Sequence, residues 1–126
     1  MINLIEINLN FNQIKDISPL NECLNLEKLY ASNNKITSIK GIRDLTNLRV
    51  LDVFKNKITN FKESVDTLAC FEKLEELNFD QNPCTRKFSY KYDILFYVKV
   101  KYLDGDKVNE IDYELAKSFV NKTGRQ

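Results

Sequence analysis

Asparagine recurs at Asn12, Asn34, Asn56 and Asn82, at spacings of 22, 22 and 26 residues. Apolar columns keep the same spacing. Leu4, Leu26, Leu48 and Leu74 form one, and Ile7, Leu29, Leu51 and Leu77 the next. Leu9, Ala31, Val53 and Phe79 form a third, and Ile14, Ile36, Ile58 and Cys84 a fourth. A unit this short cannot bury its apolar side alone and must stack on its neighbours. The period predicts a solenoid in which each unit gives one short strand to a curved parallel sheet. Such an architecture offers a surface and carries no built-in chemistry.

Residues 24–45 show how a unit is built. Leu26, Leu29 and Ala31 point inward, and the alternation across Leu29, Tyr30 and Ala31 marks a strand with one buried face. Asn34 follows at the turn, where its amide can satisfy backbone groups left free at the strand end. Stacking makes the four asparagines an internal polar ladder. Ile36 and Ile39 fill the core from the convex side, and Ile42 and Leu45 close the turn. Ile14, Ile17 and Leu20 do the same one unit earlier. These convex segments are too short for α-helices and read as 3₁₀ turns. The third unit is longer, and Val65, Leu68 and Ala69 at helical spacing predict one or two helical turns there.

The repeat is expected over residues 1–84 and a cap over 85–126. Tyr90, Ile94 and Val98 lie one turn apart on one helix, Leu103-Asp104-Gly105 makes a turn, and Ile111, Leu115 and Phe119 mark a second helix. A solenoid end exposes core and strand edge and needs such a cover. Phe88, Tyr90, Tyr92, Phe96, Tyr97 and Tyr102 are expected to form most of the plug. No matching cap precedes the first strand, which suggests a piece of a longer chain, or an edge covered by another segment or chain.

Composition narrows the function. The net charge is +1 with 29% charged residues, so no global field singles out nucleic acid or an anionic membrane. No stretch approaches the roughly 20 apolar residues of a membrane span. Cys23, Cys70 and Cys84 are odd in number and include no Cys-x-x-Cys pair, and read as buried free thiols in a reducing compartment. Histidine, the commonest general base and metal ligand, is absent. Glu75–Glu76 and Asp104–Asp106 pair carboxylates, but strand neighbours face opposite ways and a turn pair is solvated. The chain is therefore expected to be no enzyme and to need neither cofactor nor metal.

A binding surface is the remaining reading. Residues alternating outward form the concave face. Asn8, Tyr30, Asp52 and Asn78 make its central column, flanked by Glu6, Lys28, Val50 and Glu76 and by Asn10, Ser32, Phe54 and Asp80. Tyr30, Val50 and Phe54, ringed by Lys28, Asp52, Glu76, Asn78 and Asp80, form the expected interface centre. A possible second contact is basic: Arg86, Lys87, Lys91, Lys99 and Lys101 on the cap, suited to acidic tubulin or RNA phosphate.

The Asn, Leu and Ile pattern is that of leucine-rich repeats of the short 22-residue type. The fold class is thus α/β, a right-handed leucine-rich repeat solenoid with a curved parallel β-sheet and a helical C-terminal cap. Three stretches go beyond the generic pattern: LRVL at 48–51, NKITNF at 56–61 and DTLACFEKLEEL at 66–77. With Phe61, the LDG at 103–105, Val108 and Glu114, they resemble the outer-arm axonemal dynein light chain 1 family. That resemblance implies a subunit on a dynein heavy chain near its microtubule-binding region, in the cytoplasm and the axoneme of a cilium or flagellum. The NPCT at 82–85 and the Tyr90-Lys91 pair also resemble the spliceosomal U2 A-prime family, which implies a nuclear protein with an RNA-binding protein as partner. Regulatory subunits of protein phosphatase 1 share the repeat type. In each case the partner is a protein, with nucleic acid and membrane unexpected.

Overall fold

The computed structural model describes residues 3–124. Strands β1 (Glu6–Asn8), β2 (Lys28–Tyr30), β3 (Val50–Asp52), β4 (Glu76–Asn78), β5 (Tyr102–Leu103) and β6 (Asp106–Lys107) form one sheet in chain order. The first five run parallel, and β6 pairs back on β5 as a hairpin. The expected register holds: Ile7 pairs with Leu29, Leu29 with Leu51, and Leu51 with Leu77. The sheet then continues into the C-terminal segment, where Leu77 pairs with Leu103.

Burial explains why the register is firm. Leu26, Leu29, Ala31, Ile36, Ile39, Ile42, Leu45, Leu48, Leu51, Val53 and Leu77 are wholly buried. Burying one leucine side chain is worth about 1.5–3 kcal/mol. A one-residue slip would exchange a whole inward set for polar neighbours, so no single surface contact could compensate it. In the first unit Leu4, Ile7, Leu9 and Ile14 are only partly buried, because β1 is the sheet edge.

The convex side follows expectation in the early units, with 3₁₀ turns at Ser18–Glu22 and Lys40–Ile42. The two turns pack so closely that a Cβ on Gly41 would stand 2.4 Å from that of Ser18. The third unit carries helix α1 (Phe61–Leu68), whose N-cap Asn60 accepts the Glu63 N–H at 3.0 Å. Val65 and Leu68 face the core, but Ala69, expected there, is exposed at the helix end.

The cap holds helices α2 (Tyr90–Tyr97) and α3 (Glu110–Thr123), which pack on each other. Its burial differs from expectation in two respects. Of the six aromatics assigned to the plug, only Tyr90 is buried; Phe88 is 90% exposed and Tyr92, Tyr97 and Tyr102 are also exposed. On α3, Ile111 and Leu115 are exposed, while Ala116 and Val120 turn inward. The physical reason is spacing: α2 and α3 meet along a seam that admits the small Ala116. The larger residues stand outside it, where Tyr92 stacks on Phe119 with ring centroids 4.6 Å apart.

Candidate interaction surface

The asparagine ladder sets the face. Asn56 Nδ2 donates to the Val53 and Phe54 carbonyls of its own turn and to Ala31 O of the preceding unit, at 3.0–3.3 Å. Asn34 and Asn82 repeat the pattern, reaching Leu9 O and Val53 O one unit back. Each Oδ1 accepts a backbone N–H from the preceding unit: Ile14 to Asn34, Ile36 to Asn56, and Ile58 to Asn82. Asn12 departs from the expected internal position. It is exposed and, among the described residues, its side chain bonds only its own turn, through Leu9 O and Asn10 O.

Beside each asparagine is a feature that the hydrophobic pattern does not reveal. Phe11, Asn33, Lys55 and Gln81 all have positive φ, between 56° and 63°. Asp104 repeats it at 51° in a fifth position, and with Gly105 at 89° makes the two-residue turn joining β5 to β6. The Asp104 carboxylate is consumed in the fold. Oδ1 accepts the Phe79 and Asp80 N–H groups at 2.8 and 3.1 Å, and Oδ2 accepts the Tyr90 hydroxyl at 2.8 Å. Burial, and then this carboxylate, raise the Tyr90 hydroxyl pKa far above its ordinary value.

On the concave face thus formed, Tyr30 is half-buried and Phe54 is 37% exposed, both outside the core. Val50 does not share their exposure. It lies in the same sheet face but is only 9% exposed, because Lys28 and Glu76 flank it on adjacent strands. Val50 is floor, not anchor. Tyr102 joins the face instead, paired in register with Glu76 and 43% exposed. The signal was present: Leu103 follows Leu77 at the 26-residue interval of the third unit.

Asp52 sits at the centre, half-buried, with Asn78 paired beside it. Burial pushes its carboxyl pKa above the usual range, and Glu76 and Asp104 push the same way. The Phe54 N–H at 3.1 Å and the Asn78 side chain oppose them. Asp80 Oδ1 accepts the Gln81 N–H and the Thr85 hydroxyl. Among the described residues, Lys28 and Glu76 enter no ion pair.

The neighbouring rim behaves differently. Glu27, Arg49, Glu75 and Lys101 each immediately precede a strand, from β2 to β5, with alternating sign. Arg49 lies 3.6 Å from Glu27 and 3.1 Å from Glu75, and Lys101 lies 3.7 Å from Glu75. Lys101 therefore belongs to this rim. The other basic residues of the expected second contact point to separate places. Lys87 lies over the Phe61 ring and 3.1 Å from buried Asp93, Lys91 faces Asp106, and Lys99 faces the Tyr113 ring. Arg86 is exposed at the end of the 3₁₀ turn Pro83–Thr85. They do not make one basic patch.

Strand order, register and asparagine ladder together define a leucine-rich repeat fold with an open concave sheet face. Residues 24–64 match the family model for leucine-rich repeats in two copies. No curated protein sequence matches the chain. Among solved structures, the chain is similar to the Drosophila melanogaster SNF/U2A' complex, with a TM-score of 0.76 at 20% identity over 95% of this chain and 83% of that one. It is also similar to the Chaetomium Mex67:Mtr2 subunits, with a TM-score of 0.58 at 24% identity over 83% and 75% of the two chains. Internalin C2 of Listeria monocytogenes gives 0.57 at 26% identity over 79% of this chain, which spans only 42% of that one. These likenesses agree on the fold.

Proposed function

We propose that this chain is a non-catalytic interaction module that holds a segment of a protein partner on its concave face. One observation carries the reading. Tyr30, Phe54 and Tyr102 stand partly open on a sheet face whose inward residues Leu29, Leu51 and Leu77 are completely buried. Aromatic side chains on a rigid backing lose little freedom on binding and dominate interface energies.

For the particular assembly, the reading we favour is a U2 A-prime-like subunit that binds an RNA-binding protein in the nucleus. It is supported by a likeness of shape that spans 95% of the chain, cap included. The second reading is a dynein light chain on a heavy chain of the axoneme, supported by residues 48–51, 56–61 and 66–77. A phosphatase regulatory subunit stands third. The test is mass spectrometry of what co-purifies with the tagged protein, run beside a Tyr30→Ala, Phe54→Ala variant. A U2 small nuclear RNP protein, a dynein heavy chain or a phosphatase catalytic subunit decides among the three. The double variant should lose at least about 2 kcal/mol of affinity, roughly 30-fold, while its thermal stability stays near wild type. Retention of the partner by the double variant would overturn the concave-face reading.

A further inference from the structure

We propose that the segment held on the concave face is a basic one, carrying arginine or lysine together with an apolar anchor. This rests on the concave-face reading above. Strands of three residues make a face about 10 Å tall, at about 3.3 Å per residue, which is room for one segment. Along the sheet, Tyr30 on β2 and Glu76 on β4 are two strand spacings apart, about 10 Å. A short segment can therefore place an apolar group on the aromatics and a cation on the carboxylates at once.

Charge is paired on the rim and left unpaired on the concave face beside it. On the rim, Glu27, Arg49, Glu75 and Lys101 alternate in sign and pair with one another. On the concave face the four carboxylates of Glu6, Asp52, Glu76 and Asp80 are answered by Lys28 and, at the far end of the same column beyond Tyr102, by Lys107, and among the described residues no ion pair joins any of these six. The chain as a whole is nearly neutral, at +1, so this local excess of carboxylate is not a matter of composition. The other cap lysines cannot supply the missing cation, since Lys87, Lys91 and Lys99 are directed at Asp93, Asp106 and Tyr113. A guanidinium or ammonium from a partner would satisfy the carboxylates and could also lie over the open faces of Tyr30, Phe54 or Tyr102. Nucleic acid, whose phosphates these carboxylates repel, does not fit.

The test uses two fluorescein-labelled 16-residue peptides, one of leucine and arginine and one of leucine and glutamate, titrated against the whole chain by anisotropy. Three variants are compared: Asp52→Asn with Glu76→Gln, Tyr30→Ala with Phe54→Ala, and the convex-side control Asp66→Asn, each checked for folding by circular dichroism. The expected result is binding of the arginine peptide alone. That binding should weaken at least 10-fold in both concave double variants, be unchanged in the control, and fall as salt rises. Equal binding of the glutamate peptide, lost in the aromatic variant, would overturn the basic-segment proposal and leave the concave reading standing. Arginine-peptide binding that ignores both concave variants would overturn the two together. No binding of either peptide would overturn the proposal.

Discussion

The Ile36 N–H donates to Asn56 Oδ1 at 3.0 Å, across 20 residues of chain, with both side chains in the buried interior. Each unit thus hands its turn to the asparagine of the next. Asn56→Ala would leave that N–H unpaired and take one of two amide donors from each of the Ala31 and Val53 carbonyls, which keep Asn34 and Asn82, at a cost of about 1–3 kcal/mol. Asn12→Ala, on an exposed residue whose side chain, among the described residues, bonds only its own turn, should cost well under 1 kcal/mol by the same reasoning. Urea unfolding of the two variants checks the contrast, and equal losses would contradict it.

Asp52 should make stability depend on pH in an unusual sense. Its folded pKa is raised, chiefly by burial, so the folded state holds this proton more tightly than the unfolded one. Its contribution is fully present below the ordinary carboxyl pKa and is lost as pH rises through the raised folded value. Asp52→Asn should therefore gain melting temperature relative to wild type between pH 3 and pH 7. The Phe54 N–H keeps an acceptor in that variant, so its loss does not obscure the comparison. A constant difference across the range would show that the site is not desolvated.

Gly41 is a packing glycine. An alanine Cβ there would meet Ser18 Cβ at 2.4 Å and Ser18 Cα at 2.9 Å, so neighbouring convex turns would have to part. Gly41→Ala should cost about 1–3 kcal/mol. Adding Ser18→Gly should return part of that loss, and strict additivity of the two changes would argue against the clash.

The three thiols should react in order of access. Cys70 is exposed, against the expectation of burial, whereas Cys23 is buried and Cys84 half-buried. Burial pushes the Cys84 thiol up to about 11, which leaves little thiolate at neutral pH. Titration with an aromatic disulfide at pH 7 should release one equivalent quickly, and Cys70→Ser should abolish that phase.

The sheet was legible because Leu26, Leu29 and Ala31 repeat at fixed intervals and each has one satisfactory environment. The cap was harder to read. Helix positions followed from periodicity, but Ile111 and Leu115 looked inward only because apolar residues usually are. The inward seam of α3 is made by Ala116 and Val120, and nothing in the order of residues distinguishes a seam that needs a small side chain. Alternation puts Tyr30, Asp52 and Glu76 outward from the sheet, and the structure leaves each of them only partly buried. Val50 was misjudged because exposure depends on the length of the side chains beside it. The basic residues of 86–101 form a cluster in sequence that the folded cap scatters among separate acidic and aromatic neighbours.

The recurrent left-handed residue has one more consequence. At Phe11, Lys55 and Gln81 it falls on exposed side chains of unrelated chemistry, so the rhythm there is carried by the backbone and not by residue type. It works as a phase marker: three residues past the end of each of the first four strands, the same dihedral turns the chain off the sheet with one heading, whatever the length of the convex excursion that follows. The four extra residues of the third unit fall on the convex side between Lys55 and β4, and the pairing of β3 with β4 is undisturbed. The molecule tolerates length variation on one side because it counts on the other.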